Sequence, residues 1–328
     1  MKKIVSFFGE QTEVFCDLNR RTEEYAKSLG LEYRWVPQSP FSEEEVIKEL
    51  QNADAGIIDI EPYGESIFSQ VKDSTKLLVR FGVGYDKVDL KAASANGMAV
   101  ARTTGANTTA VAEMALTMLL SARRKINTYQ ARAKAGEWVK DIGNELIGST
   151  VGIIGYGNIG QRLAKLLGGF DCRILAYDPF PKKEAMEEDG VELVTLEELF
   201  RQSDAISIHV PYTEQTHHMV NKETLALMKP TAVIVNTARG NIIDEDALYE
   251  ALKAGRIGGA GLDVFAKEPL PVDCPLLTLE NTIITPHVSS QTVESLWNIY
   301  KMAIEISADF FAGKDSPHIL NRDYADHA

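Results

Sequence analysis

Short apolar runs alternate with helix-sized amphipathic segments along the first hundred residues. Segments such as SEEEVIKELQ separate runs of the kind that predicts buried strands, namely KIVSFF, LEYRWV, AGIIDI, KLLVRF and GMAVA. Alternation of strands and helices is typical of a parallel sheet that is covered by helices on both faces. The pattern therefore predicts an α/β fold.

The same alternation starts again after a long helical pattern from Asn107 to Trp138. Six further apolar runs follow, which are TVGIIG, CRILAYD, AISIHV, TAVIVNT, GGAGLDV and NTIITP. Six strands with helical crossovers match a full dinucleotide-binding fold. A last helical segment, SQTVESLWNIYKMAIEISADFFAG, is long enough to carry the chain back to the first domain. Two domains are also the default for 328 residues.

Composition and charge narrow the class of protein. Hydrophobic residues make up 45% of the chain and charged residues 25%, as in soluble globular proteins. A net charge of −13 argues against a nucleic-acid partner. The N-terminal run IVSFF is too short for a signal peptide, and no run approaches a membrane span. The three cysteines lack metal-ligand spacing, so we expect a cytoplasmic protein without a metal or membrane partner.

A glycine-rich turn lies within STVGIIGYGNIGQRLAKLLG, residues 149–168. Gly155 permits a tight turn, Gly157 allows a pyrophosphate to approach the backbone, and Gly160 allows close packing of helix and strand. The helix N-terminus offers unpaired N–H groups to an anion. Asp178 follows at the end of the next predicted strand, where its carboxylate would bind ribose hydroxyls and repel a 2′-phosphate. The pattern favours NAD over NADP, and the alternative is a packing turn with a surface aspartate.

Three downstream segments carry candidate catalytic groups. They are VNTARGNIID with Arg239, GLDVFAKEPL with Asp263 and Glu268, and ITPHVSSQT with His287. Each follows a predicted parallel strand, so we expect the groups to meet at one edge of the sheet. The planar fork of Arg239 suits a carboxylate, and His287 suits proton transfer with Glu268 holding its ring. Taken singly, each residue is also compatible with a surface charge, a solvated loop residue or a structural histidine.

In these motifs and their order, the chain resembles the D-isomer-specific 2-hydroxyacid dehydrogenase family. The motifs span nearly the whole sequence and include VRFGVGYDKVDL, NTTAVAEMAL, the glycine turn, HVPYTEQTHHMV, NTARG, GLDVFAKEP and TPHVSSQT. The resemblance implies two doubly wound parallel-sheet domains. A Rossmann NAD-binding domain over 104–292 would be inserted into a discontinuous, flavodoxin-like substrate domain formed by 1–103 and 293–328, with the active site in the cleft.

The resemblance also implies roles for individual residues. Catalysis falls to Arg239, Glu268 and His287. Substrate contacts are implied for the loop Gly82, Val83 and Gly84 and for Arg239, with Arg80 as a further anion ligand. The implied NAD contacts are Gly155, Gly157, Asn158, Ile159, Gly160, Asp178, His209, Val210, Pro211, Thr216, Thr237, Ala238, Arg239, Asp263 and His287. Relatives dimerise through the region from Asn107 to Trp138, whose MALTMLL is very apolar, so a homodimer is expected.

One departure from the family bears on the substrate. Phosphoglycerate dehydrogenases carry an arginine in a VRSxT-like loop, whereas this chain has IIDIEPYGE with Asp59 and Glu61. Two carboxylates there would repel a phosphate, and Arg80 or Arg102 would compensate only partly. Since the sequence ends at Ala328, we expect no C-terminal regulatory domain.

The sequence thus predicts an NAD-dependent dehydrogenase that reduces a small 2-oxo acid to the D-2-hydroxy acid. One alternative is D-3-phosphoglycerate dehydrogenase. A second is formate oxidation, although that branch pairs its histidine with glutamine, and this chain has Glu268. A third is a nucleotide-sensing interaction protein on the same scaffold, like the related corepressors. Turnover of 2-oxo acids with NADH would distinguish an enzyme of this family from such an interaction protein.

Overall fold

The structure is a computed structural model that describes residues 1–38 and 40–327; Ser39 and Ala328 lie outside the described residues. The chain divides into two compact units. The first comprises Met1–Asn107 with Gln291–Ala328, and the second comprises Thr108–Ser290. The predicted domain limits, after residues 103 and 292, lie within four residues of these boundaries.

The first unit is built on a five-stranded parallel sheet. Its strands are β1 (Lys2–Ser6), β2 (Leu31–Trp35), β3 (Ala55–Ile58), β4 (Leu77–Arg80) and β5 (Ala99–Arg102). Their order, β2-β1-β3-β4-β5, is the flavodoxin-like order. Every residue of β3 and β4 is buried, which explains the apolar runs AGII in β3 and LLV in β4.

Four helices connect these strands: α1 (Glu13–Ser28), α2 (Glu43–Leu50), α3 (Glu65–Val71) and α4 (Leu90–Ala95). Three of them begin where a side chain accepts a hydrogen bond from a backbone N–H of the first turn. These capping residues are Thr12, Ser42 and Asp89. Such caps satisfy donors that the first helical turn leaves unpaired, so the sequence fixes where each helix begins.

The second unit is built on a seven-stranded parallel sheet with the order β12-β11-β10-β9-β6-β7-β8. Its strands are β6 (Thr150–Ile154), β7 (Arg173–Tyr177), β8 (Glu192–Leu193), β9 (Ala205–Ile208), β10 (Val233–Asn236), β11 (Gly259–Leu262) and β12 (Thr282–Ile284). The predicted count of six strands was one too low. β8 has two residues, both exposed, so it shows neither an apolar run nor an alternation.

The helices of the second unit are α5 (Thr108–Arg123), α6 (Ile126–Lys134), α7 (Asn158–Leu167), α8 (Lys183–Glu188), α9 (Leu196–Gln202), α10 (Lys222–Leu227) and α11 (Glu245–Lys253). Together with the sheet order, they form a Rossmann fold, and the predicted α/β fold class is confirmed for both units.

The segment from Asn107 to Trp138 is not one long helix, as its pattern suggested. Lys125 has φ 53°, a left-handed conformation that separates α5 from α6. The apolar stretch MALTMLL lies in α5, and its Met118 and Leu119 are buried in the core of the second unit. Burial within this unit therefore accounts for that apolar stretch.

The C-terminal part of the chain packs into the first unit. Helix α12 (Val293–Phe311) places Leu296, Ile299 and Tyr300 in the core beside the five-stranded sheet. Beyond it, Leu320 N–H donates to Val100 O (2.8 Å), and Ile319 forms an antiparallel bridge with Ala101. No helix within residues 1–38 and 40–327 has the length and apolar content that a membrane crossing requires.

Candidate active site

The glycine turn joins β6 to α7 in the conformation that the sequence predicts. Gly155 has φ 96°, and a Cβ there would lie 2.8 Å from the backbone of His209. A Cβ on Gly160 would lie 2.2 Å from Gly155 O, so any larger residue would collide with the turn. Only glycine therefore fits at these two positions.

The N-terminus of α7 is open to an anion. Gly157 is its N-cap, and no side chain there accepts a bond from the first-turn N–H groups. A Cβ on Gly157 would meet no heavy atom within 4 Å, so the space beside this helix end is clear. Asn158 and Ile159 form the first turn of α7. Unpaired N–H groups and the helix dipole favour a phosphate at this place.

Asp178 lies at the carboxyl end of β7, beside the glycine turn. Its Oδ2 accepts a hydrogen bond from Tyr156 N–H (2.7 Å), and its Oδ1 accepts one from Phe180 N–H (2.8 Å). The carboxylate is thus fixed at the strand end. Each oxygen keeps a further acceptor position, which suits the hydroxyls of a ribose.

The segment after β9 supplies the next predicted cofactor contacts. Val210 is buried, and Thr216 accepts a bond from Thr213 N–H and donates one to Pro211 O, both at 2.8 Å, which folds the turn. His209 Nε2 lies 2.9 Å from Ser207 Oγ. Burial lowers the pKa of His209 to about 3, so its ring is neutral.

Two buried polar atoms near these strand ends lack a hydrogen-bond partner among the described residues. They are Thr237 Oγ1, directly after β10, and Nδ1 of His209. Buried polar atoms of this kind are usually paired, so both atoms are available to a ligand at this edge of the sheet. Together with the open end of α7 and the fixed Asp178, these residues fit a dinucleotide along the carboxyl edge of the sheet.

Arg239 lies on a loop that is fixed by hydrogen bonds to Asn236 and by close packing at Gly240. Asn236 Nδ2 donates to Arg239 O (2.9 Å), while its Oδ1 accepts from Ala238 N–H (3.0 Å). A Cβ on Gly240 would lie 1.9 Å from the backbone of Phe265, so the loop after β10 packs directly on the loop after β11. The charge of Arg239 lowers the pKa of Glu268, so the two groups lie near each other.

His287 and Glu268 form a hydrogen-bonded pair. Nδ1 of His287 lies 2.8 Å from Oε2 of Glu268, and the two side chains are 40% and 33% exposed. Glu268 Oε1 also accepts a bond from Phe265 N–H (3.0 Å). Because Nδ1 is bound to the carboxylate, Nε2 is the ring atom that remains for proton exchange with a ligand.

Electrostatics keep the Glu268 carboxylate ionised. Burial raises its pKa, but the hydrogen bonds from His287 and Phe265 N–H outweigh that effect, and the charge of Arg239 lowers the pKa further. The pKa of Glu268 therefore lies below its ordinary value of 4.5. The carboxylate therefore stays negative near neutral pH.

Asp263 fixes the loop that carries His287. Its side chain is completely buried, and its Oδ1 accepts bonds from Thr285 Oγ1 and from Val288 N–H (2.9 Å). Its Oδ2 accepts one from Ser289 N–H (2.8 Å), and its backbone O accepts one from His287 N–H (2.8 Å). His287 itself has φ 55°, a strained conformation that this set of bonds maintains.

The first unit holds the remaining predicted residues. Arg80 is buried, with Nη1 3.8 Å from Asp59 Oδ1, so its charge is already opposed by a carboxylate. Gly82 N–H donates to Thr103 Oγ1 (2.9 Å) and is therefore engaged within the protein. The N–H groups of Val83 and Gly84 have no partner among the described residues.

Sequence reasoning missed the residues that hold the site together. Asn236, Phe265 and Thr285 each bond a predicted site residue or its loop. Asn236 and Thr285 lie inside the motifs NTARG and TPHVSSQT, directly next to strand ends. A polar residue that ends a buried strand is a usable signal, whereas the Phe265 contact is made by backbone and leaves no trace in the sequence.

Comparison with known proteins gives a consistent result. The family model for the D-isomer specific 2-hydroxyacid dehydrogenase, NAD binding domain, matches residues 116–289. A glyoxylate reductase of Korarchaeum cryptofilum is 37% identical over 296 residues, which is 88% of this chain and 89% of the relative. A D-3-phosphoglycerate dehydrogenase of Archaeoglobus fulgidus is 39% identical over 278 residues, which is 84% of this chain and 52% of the relative.

A solved structure extends the similarity to three dimensions. The crystal structure of D-lactate dehydrogenase with NAD+ from Lactobacillus jensenii matches with a TM-score of 0.82 and 27% identity. The match covers 98% of this chain and the whole of that one.

Proposed function

Because the chain belongs to the D-isomer specific 2-hydroxyacid dehydrogenase family of NAD-dependent oxidoreductases, we propose that it reduces a small unphosphorylated 2-oxo acid to the D-2-hydroxy acid. The family, the enzyme class and the NAD cofactor that the sequence predicts are confirmed. The substrate and the role of each residue are our proposal. It rests above all on the 2.8 Å pair of His287 and Glu268 beside Arg239.

Each of the three side chains has one task in the proposed reaction. Arg239 binds the substrate carboxylate, because its guanidinium is permanently charged and planar. His287 gives a proton from Nε2 to the carbonyl oxygen as it becomes an alkoxide, and takes it back in the reverse direction. Glu268 orients the ring through its contact with Nδ1. The bound nicotinamide supplies the hydride.

The proposed cofactor site follows the carboxyl edge of the seven-stranded sheet. The open N-terminus of α7 with Gly157 would hold the pyrophosphate, and Asp178 would hold the ribose hydroxyls. Thr237 Oγ1 and His209 Nδ1 would gain the partners that they lack among residues 1–38 and 40–327. Asp263 would act through the loop that it fixes, since both its carboxylate oxygens are occupied there.

The preference for an unphosphorylated substrate rests on the loop after β3. Asp59 opposes the charge of Arg80, and Glu61 adds a second carboxylate to the same loop. A carboxylate about 4 Å from a phosphate charge costs about 4 kcal/mol at an effective dielectric of 20. D-3-phosphoglycerate dehydrogenase is the second candidate function, because the relative from A. fulgidus carries that name.

We expect kcat/KM for hydroxypyruvate to exceed that for its 3-phosphate by at least about tenfold, since two carboxylates act on the phosphate. Steady-state NADH oxidation with both compounds measures this ratio. Asp59→Asn combined with Glu61→Gln is expected to narrow it, whereas Glu44→Gln on the exposed face of α2 leaves it unchanged. A higher kcat/KM for the phosphorylated compound would overturn the substrate assignment in favour of the second candidate.

We also propose that the protein is a cytoplasmic homodimer. The free cysteines Cys16, Cys172 and Cys274 suit a reducing compartment. The apolar stretch MALTMLL does not support the dimer, because it packs within its own unit. It rests on the segment between α6 and β6, where Trp138 and Ile142 are each 87% exposed and Val139 is also exposed. Apolar side chains clustered in this way are typical of a protein interface.

Light scattering at micromolar concentration is expected to give twice the chain mass of 36.2 kDa. Trp138→Glu combined with Ile142→Glu is expected to give monomers, because two charges would be buried in the interface. Val272→Glu is the matched control, since Val272 is 97% exposed but lies outside the segment. A monomeric wild-type protein would reject the dimer.

A further inference from the structure

Tyr156, in the middle of the glycine turn, is held at three points. Its N–H donates to Asp178 Oδ2 (2.7 Å), its carbonyl accepts from Gln161 Nε2 (3.0 Å), and its hydroxyl donates to Asp189 Oδ2 (2.8 Å). The ring is buried in the core of the second unit, next to residues of α7 such as Leu163. The side chain thus ties the turn to a carboxylate that is 33 residues away along the chain.

Asp189 lies at the end of α8, which follows the loop that carries Asp178 and Phe180. Its N–H donates to Ala185 O (3.1 Å), and its Oδ1 lies 3.8 Å from Lys165 Nζ of α7. The carboxylate therefore faces α7, α8 and the glycine turn together. Burial raises the pKa of the Tyr156 phenol and the bond to Asp189 raises it further, so the phenol remains a donor.

These contacts form two separate links between two parts of the proposed cofactor site. The turn that would hold the pyrophosphate and the strand end that would hold the ribose are joined directly by Tyr156 N–H and Asp178. They are joined again through the Tyr156 hydroxyl, Asp189 and α8. A shift of the Tyr156 backbone would move the open N-terminus of α7. It would also move the N–H group of Tyr156 that holds the carboxylate of Asp178.

We propose that the hydrogen bond between Tyr156 and Asp189 sets the relative position of the glycine turn and Asp178, and so sets the affinity for NADH. Tyr156 is a positioning residue in this account, since it acts through the turn and through Asp178. The inference rests on the cofactor site proposed above. The affinity for NADH then depends on the core side chain of Tyr156 as well as on the groups that line the site.

Tyr156→Phe is the direct test, because it removes the hydroxyl and keeps the buried ring. We expect the dissociation constant for NADH, measured by fluorescence titration, to rise about threefold to tenfold. The kcat at saturating NADH is expected to stay within about twofold, since His287 and Arg239 are untouched. Tyr129→Phe is the matched control, because it removes a 2.7 Å bond to Asp141 O elsewhere in the same unit.

A double-mutant cycle with Asp189→Ala separates positioning from general stability. If the two groups act through their shared bond, Tyr156→Phe has no further effect on the dissociation constant once Asp189 is replaced. A lower Tm with an unchanged dissociation constant in Tyr156→Phe would overturn the inference, as would additive effects of the two changes. Absence of NADH binding by the wild-type protein in the same titration would instead reject the proposed cofactor site itself.

Discussion

Replacing His287 by alanine is expected to lower kcat for reduction of a 2-oxo acid by about a hundredfold to ten-thousandfold, the usual range for general acid catalysis. The variant loses the proton donor that Glu268 holds at 2.8 Å through Nδ1. The dissociation constant for NADH is expected to change much less than kcat, because the nucleotide would be held mainly by the glycine turn and Asp178, which lie on other strand ends. Single-turnover kinetics and fluorescence titration measure the two quantities separately.

His327→Ala is the matched control, since that histidine is exposed near the end of the described chain. Near-normal kcat in His287→Ala would contradict the proton-transfer role.

The hydrogen-bonded pair of His287 and Glu268 also predicts a pH dependence. Because the pKa of Glu268 is lowered below 4.5, its carboxylate is ionised above that value, and the pair and the stability it contributes are lost only as pH falls through the lowered pKa. Kcat for reduction should therefore persist to about pH 5.

The second large effect concerns the choice of cofactor. Wild type is expected to prefer NADH over NADPH by at least about a hundredfold in kcat/KM, because Asp178 would repel a 2′-phosphate by about 4 kcal/mol at 4 Å and an effective dielectric of 20. Asp178→Ser combined with Pro179→Arg replaces that repulsion by attraction. We expect the combined variant to lose most of the preference or to invert it, as measured by kcat/KM with each cofactor.

Serine is chosen at position 178 because its hydroxyl can still accept the bond from Tyr156 N–H. Asp273→Ser is the control, an exposed loop carboxylate outside the glycine turn, and it should keep the wild-type preference. Equal kcat/KM of the wild-type protein with NADH and NADPH would show that Asp178 does not face the ribose.

The strands were predictable because buried parallel strands contain short apolar runs, as AGII in β3 and VIV in β10 show. The same reasoning failed where burial is absent. The exposed pair of residues in β8 carries no apolar signal. The break at Lys125 also has no sequence marker, because a lysine in the left-handed region looks like any helical lysine.

Motifs located the candidate catalytic groups, but they did not reveal what fixes them. The bonds of Asp263 to Thr285 and Ser289 join positions more than twenty residues apart, and only the fold brings them together. Likewise, no pattern indicated that Gly82 N–H is engaged by Thr103. Local patterns report which side chains are available for chemistry, whereas these long-range bonds depend on how the strand ends align.

The most direct test of the account follows NADH oxidation and product configuration together, with glyoxylate, pyruvate and hydroxypyruvate as substrates of the wild-type protein. We predict turnover with at least one of them, one NADH consumed per 2-hydroxy acid formed, and only the D-isomer where the product is chiral. A protein that binds NADH but turns over none of these acids would contradict the account and favour a nucleotide-sensing role.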